Sequence, residues 1–303
     1  MEILPEAAAP LRPTMAHVLV IGATGLLGST LAPVLAASGH NVVTHGFSGA
    51  ANEKADLCDF AQASALVARV KPDCIINLAA LTNVDLCERE PHKAYLLNVA
   101  TVTHVARAIR EQAPHCHLVQ ISTDQVYDGV GPHSETNVTV TNTYALSKIA
   151  AELAAVSVSS TILRTTFFGR SLCDSRTSFS DWIVQSLRNG TPISVFDDIL
   201  FSPLDINTLA LMIERLVSIR PVGLFNLGAR EGMSKAAFAF ALADVMALPI
   251  NHLTRTISTA SQAFEAYRPK DMRMDSSLFE RTLGLQLPTL IDQIHLLRSY
   301  YHE

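Results

Sequence analysis

The sequence predicts an α/β fold, a doubly wound parallel sheet with a smaller C-terminal lobe. Three observations carry the prediction. Short apolar runs of strand length alternate with stretches that are apolar at helical spacing through roughly the first half of the chain. A glycine turn joins the first such strand to the first such helix. The run at residues 74–79 is almost wholly apolar, as a parallel strand covered on both faces must be.

Taken in order, residues 17–21 read as a strand and residues 26–37 as a helix that ends at Gly39. Pro33 falls inside this helix and is expected to distort it, since it removes a helical donor and crowds the preceding turn. Strands follow at 41–44, 74–79, 117–121 and 160–164, separated by helices at 60–70, 91–111 and 143–156. Beyond about Thr166 the rhythm loosens. Loops are expected at 169–178 and 190–203, a strand near 224–227, and helices from Ser234 and from Pro288. We read residues 1–15 as a flexible arm, 16–166 as a nucleotide-binding domain, and 167–303 as mainly a substrate lobe that shares the core. No repeat or low-complexity linker separates the two.

Composition narrows the function classes. With 303 residues, 49% of them hydrophobic, the chain can bury a large core. Lys and Arg number 23 against 28 Asp and Glu, with no basic block, which argues against a nucleic-acid partner. No apolar stretch is long enough for a bilayer of about 30 Å, and residues 1–14 lack the cationic start and apolar run of a secretory signal. A cytoplasmic protein without a membrane partner is expected. The five cysteines include no Cys-x-x-Cys pair, so neither a disulfide framework nor a zinc site is expected. His115, Cys116 and His117 lack a second ligand pair and read as ordinary surface, and no metal is assigned.

Two motifs carry chemistry. Gly22-Ala23-Thr24-Gly25-Leu26-Leu27-Gly28 follows the first strand and opens the first helix, where glycines allow close backbone approach and free N–H groups face a pyrophosphate. Tyr144 and Lys148 stand four residues apart on one helix face, a spacing expected to let the Lys cation bring the phenol pKa down from about 10 toward neutrality. Upstream, Thr123 ends a strand and brings a hydroxyl to the carboxyl edge of the sheet, where ligands bind.

Together the glycine turn, the strand-end Thr and Tyr-x-x-x-Lys resemble the extended short-chain dehydrogenase/reductase family and its Rossmann-type nucleotide-binding fold. Residues 77–85, 88–91, 97–99, 122–129 and 268–275 narrow the resemblance to the dTDP-4-dehydrorhamnose reductases. The likeness is dense in the first half of the chain and thin between Gly169 and Gly223. It implies a reductase acting on the keto group of a nucleotide-activated deoxysugar. Tyr144 would be the proton donor, Lys148 its partner and ribose ligand, and Thr123 the donor to the carbonyl oxygen, with Asn98 holding the water or backbone geometry behind the Lys. Gly22, Thr24, Gly25, Leu26, Leu27 and Gly28 would bind the cofactor phosphates. Asp56 and Leu57 would flank its adenine, and Leu78, Ala79 and Ala80 the stretch toward the nicotinamide ribose. Thr82, Val84, Asp124, Gln125 and Arg268 are the substrate candidates. NADP(H) is favoured over NAD(H), because the second strand ends without an acidic residue for a 2′-hydroxyl; His45 and Ser48 would lie near a 2′-phosphate. A homodimer is among the possible assemblies.

Other readings share these motifs. A 4-epimerase uses the same Tyr and Lys, whereas a 4,6-dehydratase needs a carboxylic acid where Gln125 stands. The regulatory subunit of methionine adenosyltransferase has a similar glycine turn, which leaves a non-catalytic, NADP-binding subunit as the alternative from another class.

Overall fold

The computed structural model describes residues 15–47, 49–258 and 264–301; nearly all of the expected arm at 1–15, and Ser48, lie outside them. The first half runs β1 (His17–Ile21), α1 (Gly28–Ala37), β2 (Asn41–Gly46), β3 (Glu53–Lys54), α2 (Phe60–Val70), β4 (Cys74–Asn77), α3 (Val84–Arg89), α4 (Pro91–Ala94), a π-helix (Tyr95–Ala100), α5 (Thr101–Gln112), β5 (His117–Thr123), a 3₁₀ turn (Asp124–Val126), α6 (Thr143–Ala155) and β6 (Ser160–Thr165). The second half runs β7 (Phe167–Phe168), α7 (Phe179–Arg188), β8 (Ile193–Phe196), β9 (Leu200–Phe201), β10 (Leu204–Asp205), α8 (Ile206–Ile219), β11 (Gly223–Leu227), β12 (Met233–Ser234), α9 (Lys235–Val245), β13 (Leu253–Thr256), α10 (Ser277–Leu283) and α11 (Leu290–Tyr301).

Seven strands form the central sheet in the order β11-β6-β5-β4-β1-β2-β3. Every neighbouring pair is parallel. The apolar run of β4 is buried at all four residues, as its composition requires. From β1 the chain moves to β2 on one side and returns through β4 on the other, so a crevice opens between the carboxyl ends of β1 and β4, where such sheets bind ligands.

Several local expectations need correction. Helix α1 passes through Pro33 without a break. The proline lies on the exposed side of the helix, where solvent can take over the lost hydrogen bond. The helix expected over 91–111 runs without a break from Pro91 to Gln112, but its middle, Tyr95–Ala100, is wound as a π-helix; apolar spacing cannot reveal the widened turn. The loop expected at 190–203 contains β8 and β9. Strand β11, far along the chain, pairs with β6 at the sheet edge. Helix α8 shares a core with α1, through Leu209, Ile213 and Leu216 against Leu31 and Leu35. No helix among the described residues is long and apolar enough to cross a membrane.

Candidate active site

The crevice holds a cleft of about 390 Å³. One wall is the glycine turn, with Gly22, Gly25, Leu26, Leu27 and Gly28; Leu78, Ala80 and Thr82 follow β4; and the carboxyl ends of β5 and β6 bring Thr123, Asp124, Gln125, Thr165 and Thr166. Tyr144 and Lys148 enter from α6, and Arg176 and Thr177 from the loop after β7.

The turn is shaped by what cannot fit there. Gly22 has φ +78°, and a Cβ on it would lie 2.9 Å from the Ala79 nitrogen. A Cβ on Gly28 would lie 2.5 Å from the Gly22 carbonyl and the Ala23 Cα. Glycine therefore lets the β1 turn, the β4 loop and the start of α1 meet. The amides of Gly22 and Ala23 are taken up by the His45 carbonyl, 3.0 Å away in each case. Those of Leu26 and Leu27 find no acceptor among the described residues, which leaves helix-start donors facing the cleft. A dinucleotide pyrophosphate fits this cradle.

Asn142 starts α6, its side chain accepting from the Ala145 amide at 2.8 Å, and so places Tyr144 in the first turn with Lys148 one turn on. Tyr144 is buried among Val84, Cys87, Ala94 and Ala266, with the Thr123 side chain close to its phenol. Burial pushes the Tyr144 pKa up, Thr123 holds it down in part, and the nearby Asp124 charge adds to the rise. This corrects the expectation that Lys148 would lower it. The Lys148 ammonium is turned to the Ile121 carbonyl, to which it donates at 2.7 Å. Burial brings Lys148 down to about 8, opposed by the Glu152 carboxylate. Asp124 is pushed up to about 7 by burial, with the Lys235 charge the main opposing influence.

Behind Lys148 lies a polar network that the sequence reading missed. Glu152 accepts from Ser122 Oγ at 2.5 Å and from Arg164 Nε and Nη2 at 2.9 and 2.7 Å. Arg164 also donates to the Tyr127 hydroxyl and the Glu135 carbonyl, and Tyr127 donates to Asn226 Oδ1 at 2.6 Å. Four of the five N–H donors of the buried Arg164 guanidinium are thereby used.

The remaining candidates separate. Asn98, on the π-helix, accepts from the Leu81 amide at 2.6 Å and donates to the Leu81 carbonyl and to Ser147 Oγ. It clamps the β4 loop to α6 and holds backbone; it makes no hydrogen bond to Lys148. Ala79 lies against Gly22 without lining the cleft. Val84 packs beside Tyr144, and Thr24 carries its carbonyl to the Cys173 thiol at 3.2 Å. Asp56 caps its own turn by accepting from the Cys58 amide, and the Leu57 side chain is in the core. Neither lines the cleft. Arg268 pairs with Asp85 at 2.8 Å and donates to the carbonyl of Ala266, whose side chain packs with Tyr144, and it does not line the cleft. His45 is corrected: it is buried, its Nε2 at 3.1 Å from the Ala55 carbonyl, and does not face outward to a phosphate. Ile121, Ser122, Thr165, Thr166, Phe167, Arg176 and Thr177 line the cleft and were not anticipated. The rule that ligands sit at strand carboxyl ends points to Thr165 and Thr166; nothing local to the sequence marks Arg176.

The profile of the RmlD substrate-binding-domain family matches residues 15–300. The chain is 30% identical over 290 residues to dTDP-4-dehydrorhamnose reductase of Aggregatibacter actinomycetemcomitans, covering 90% of this chain and 95% of the relative. It is 29% identical over 294 residues to methionine adenosyltransferase 2 subunit beta of Rattus norvegicus, covering 89% of this chain and 83% of the relative. The structure of dTDP-4-dehydrorhamnose reductase from Bacillus anthracis in complex with NADP superimposes with a TM-score of 0.85 at 24% identity, over 96% of this chain and all of that one. A match across nearly the whole chain, with the glycine cradle and the Thr123, Tyr144 and Lys148 side chains gathered in one cleft, places this protein in the RmlD substrate-binding-domain family, among the dTDP-4-dehydrorhamnose reductase-like oxidoreductases.

Proposed function

We propose that the protein reduces the keto group of a nucleotide-activated deoxysugar, with NADPH as the favoured hydride donor and NADH as the second choice. The observation that carries this reading is the convergence of Thr123, Tyr144 and Lys148 on the cleft that the glycine turn closes. The bound nicotinamide would supply hydride to the carbonyl carbon. The Leu26 and Leu27 amides would hold the pyrophosphate, and the Lys148 ammonium the nicotinamide ribose. Thr123 and Tyr144 would polarise the carbonyl oxygen, and Tyr144 would pass its phenolic proton to that oxygen as the negative charge develops. The raised pKa of Tyr144 suits this direction, since it keeps the phenol protonated at neutral pH. Gln125 lines the cleft where a dehydratase would need an exchangeable proton, and its amide has none to give near neutrality.

The test is incubation with NADPH and dTDP-4-keto-6-deoxy sugar, followed at the cofactor absorbance and by product mass. Oxidised cofactor and dTDP-glucose form the control. The reading expects a product heavier by two hydrogens in the first and no loss of water in the second. A second reading is supported by the likeness to methionine adenosyltransferase 2 subunit beta: a regulatory subunit that binds NADP without turnover. It would be favoured by tight NADPH binding with inertness toward every keto sugar nucleotide.

A further inference from the structure

Beside Asp124, the second half of the chain presents a cation that the chemistry above does not use. Lys235 opens α9, whose start is fixed firmly. Ser234 Oγ accepts from the Ala237 amide at 3.0 Å and donates to Asp197 at 2.6 Å, and the Lys235 amide donates to the Ile199 carbonyl at 2.9 Å. The ammonium lies 5.6 and 5.9 Å from the ring centres of Phe179 and Phe201. Lys235 keeps part of its surface exposed, yet burial dominates its titration and lowers its pKa, which places the charge in a recess and not on an open face.

Among the described residues no carboxylate lies within ion-pair distance of that ammonium and no acceptor within hydrogen-bond distance. Asp124 is close enough to feel the charge and Arg268 close enough to oppose it, but Asp124 remains pushed up to about 7, so the two do not neutralise each other. Arg268 is already held by Asp85 at 2.8 Å. An unpaired, desolvated ammonium costs stability, and ring faces offset only part of that. In the cleft, Gln125, the residue after Asp124, and Thr165 at the end of β6 leave Oε1 and Oγ1 buried without partners among the described residues. The Gln125 oxygen can only accept, and the Thr165 hydroxyl can do either. A ligand that supplies hydroxyl groups to these atoms and an anion to the recess would satisfy all three. A sugar joined to a diphosphate has both.

We infer that Lys235 is a substrate-binding residue whose ammonium takes a phosphate oxygen of a nucleoside diphosphate, while Gln125 and Thr165 hold hydroxyls of the attached sugar. The inference rests on the proposed reading of the site and adds the residue that would recognise the nucleotide part. Lys presents a compact charge suited to a phosphate, and Arg268 gives a second positive charge in range.

The test is calorimetric titration of the full chain with thymidine diphosphate and uridine diphosphate, for wild type, Lys235→Met and Lys235→Arg, alongside NADPH titration and turnover of the keto sugar nucleotide. Lys235→Met should weaken both diphosphates by about tenfold or more, with the loss in turnover falling mainly on KM, and Lys235→Arg should recover most of the affinity. NADPH affinity, held by the opposite wall, reports that the variants are folded. Unchanged diphosphate affinity in Lys235→Met, with wild-type turnover present, overturns the inference and leaves the reductase reading standing. Unchanged affinity with a displaced pH profile also overturns it, and assigns Lys235 to tuning Asp124. A wild-type chain that neither binds a diphosphate nor reduces the sugar overturns both.

Discussion

Glu152→Gln separates what the buried network contributes to stability from what it contributes to the site. The Glu152 and Arg164 side chains are 5% and 4% exposed, and the carboxylate takes two guanidinium hydrogens and the Ser122 hydroxyl. The amide would keep one acceptor and turn its NH₂ toward Arg164, donor against donor, leaving the guanidinium buried without a counter-charge. Breaking a buried pair in this way costs about 3–5 kcal/mol. At about 2–3 °C per kcal/mol in a chain of this size, Tm should drop by roughly 6–15 °C. A second effect acts on Lys148. The Glu152 charge opposes the burial that brings Lys148 down to about 8, so its loss moves the lysine lower still. An ammonium with pKa about 8 is about nine-tenths protonated at pH 7, and a fall of about one unit leaves about half. Activity that needs the ammonium then fades at lower pH. Calorimetry and kcat/KM between about pH 6 and 9.5 read the two effects apart. The double variant Glu152→Leu with Arg164→Met removes both charges and should regain much of the Tm, yet keep the displaced basic limb. A Tm within about 2 °C of wild type in Glu152→Gln, or an unmoved basic limb, would refute the reasoning.

Tyr144→Phe should lower kcat by about 10²–10⁴-fold while keeping NADPH affinity and nearly all stability, because the ring keeps its contacts with Val84, Cys87, Ala94 and Ala266; single-turnover kinetics and cofactor titration check it, and near-normal kcat contradicts the proton-donor role. Asn98→Ala removes three hydrogen bonds that clamp Leu81 and Ser147 and should lower kcat by about tenfold or more through misplacement of α6 against the β4 loop, with Asn98→Ser recovering less than half of the lost rate. Gly28→Ala places a methyl 2.5 Å from the Gly22 carbonyl; it should cost about 1–3 kcal/mol and weaken NADPH binding in titration while leaving diphosphate affinity near that of wild type.

The parts of the molecule that sequence reveals are those governed by local rules. Residues 17–21 and 60–70 coincide with β1 and α2 because alternation, apolar spacing and the Asp59 cap all act within a few residues. Tyr144, Lys148 and Thr123 were legible because strand ends and helical spacing fix where such side chains go. Asn98 was legible as a candidate, but its partners Leu81 and Ser147 lie 17 and 49 residues away. The Glu152 and Arg164 pair was invisible for the same reason: an acid on a helix and a base on a strand look solvent-facing until the strand is known to be central. His45 misled because an alternating strand does not say which face points inward until its neighbours are placed. In the second half, short strands such as β9 and β12 pair across long sequence separations, and too few residues take part for any periodicity to show.

The chain resembles both a reductase and a regulatory subunit, and the deciding physics lies in groups that cofactor binding alone would not require. A subunit that only holds a dinucleotide needs the glycine turn, the free amides at Leu26 and Leu27 and the Lys148 cation. It has no use for a phenol sunk in an apolar pocket against a strand-end threonine, or for a carboxyl pushed toward neutrality beside it. Nor does it need buried polar atoms left open on the wall beyond the glycine turn. Gln125 Oε1 and Thr165 Oγ1 have no partner among the described residues, and each such atom costs about 1–3 kcal/mol unless something else pairs with it. Both atoms belong to residues that line the cleft with Tyr144 and Lys148. Open polar atoms on the wall of the cleft that holds Thr123, Tyr144 and Lys148 suit a surface shaped to bind a substrate, and they argue for turnover over mere retention of the cofactor.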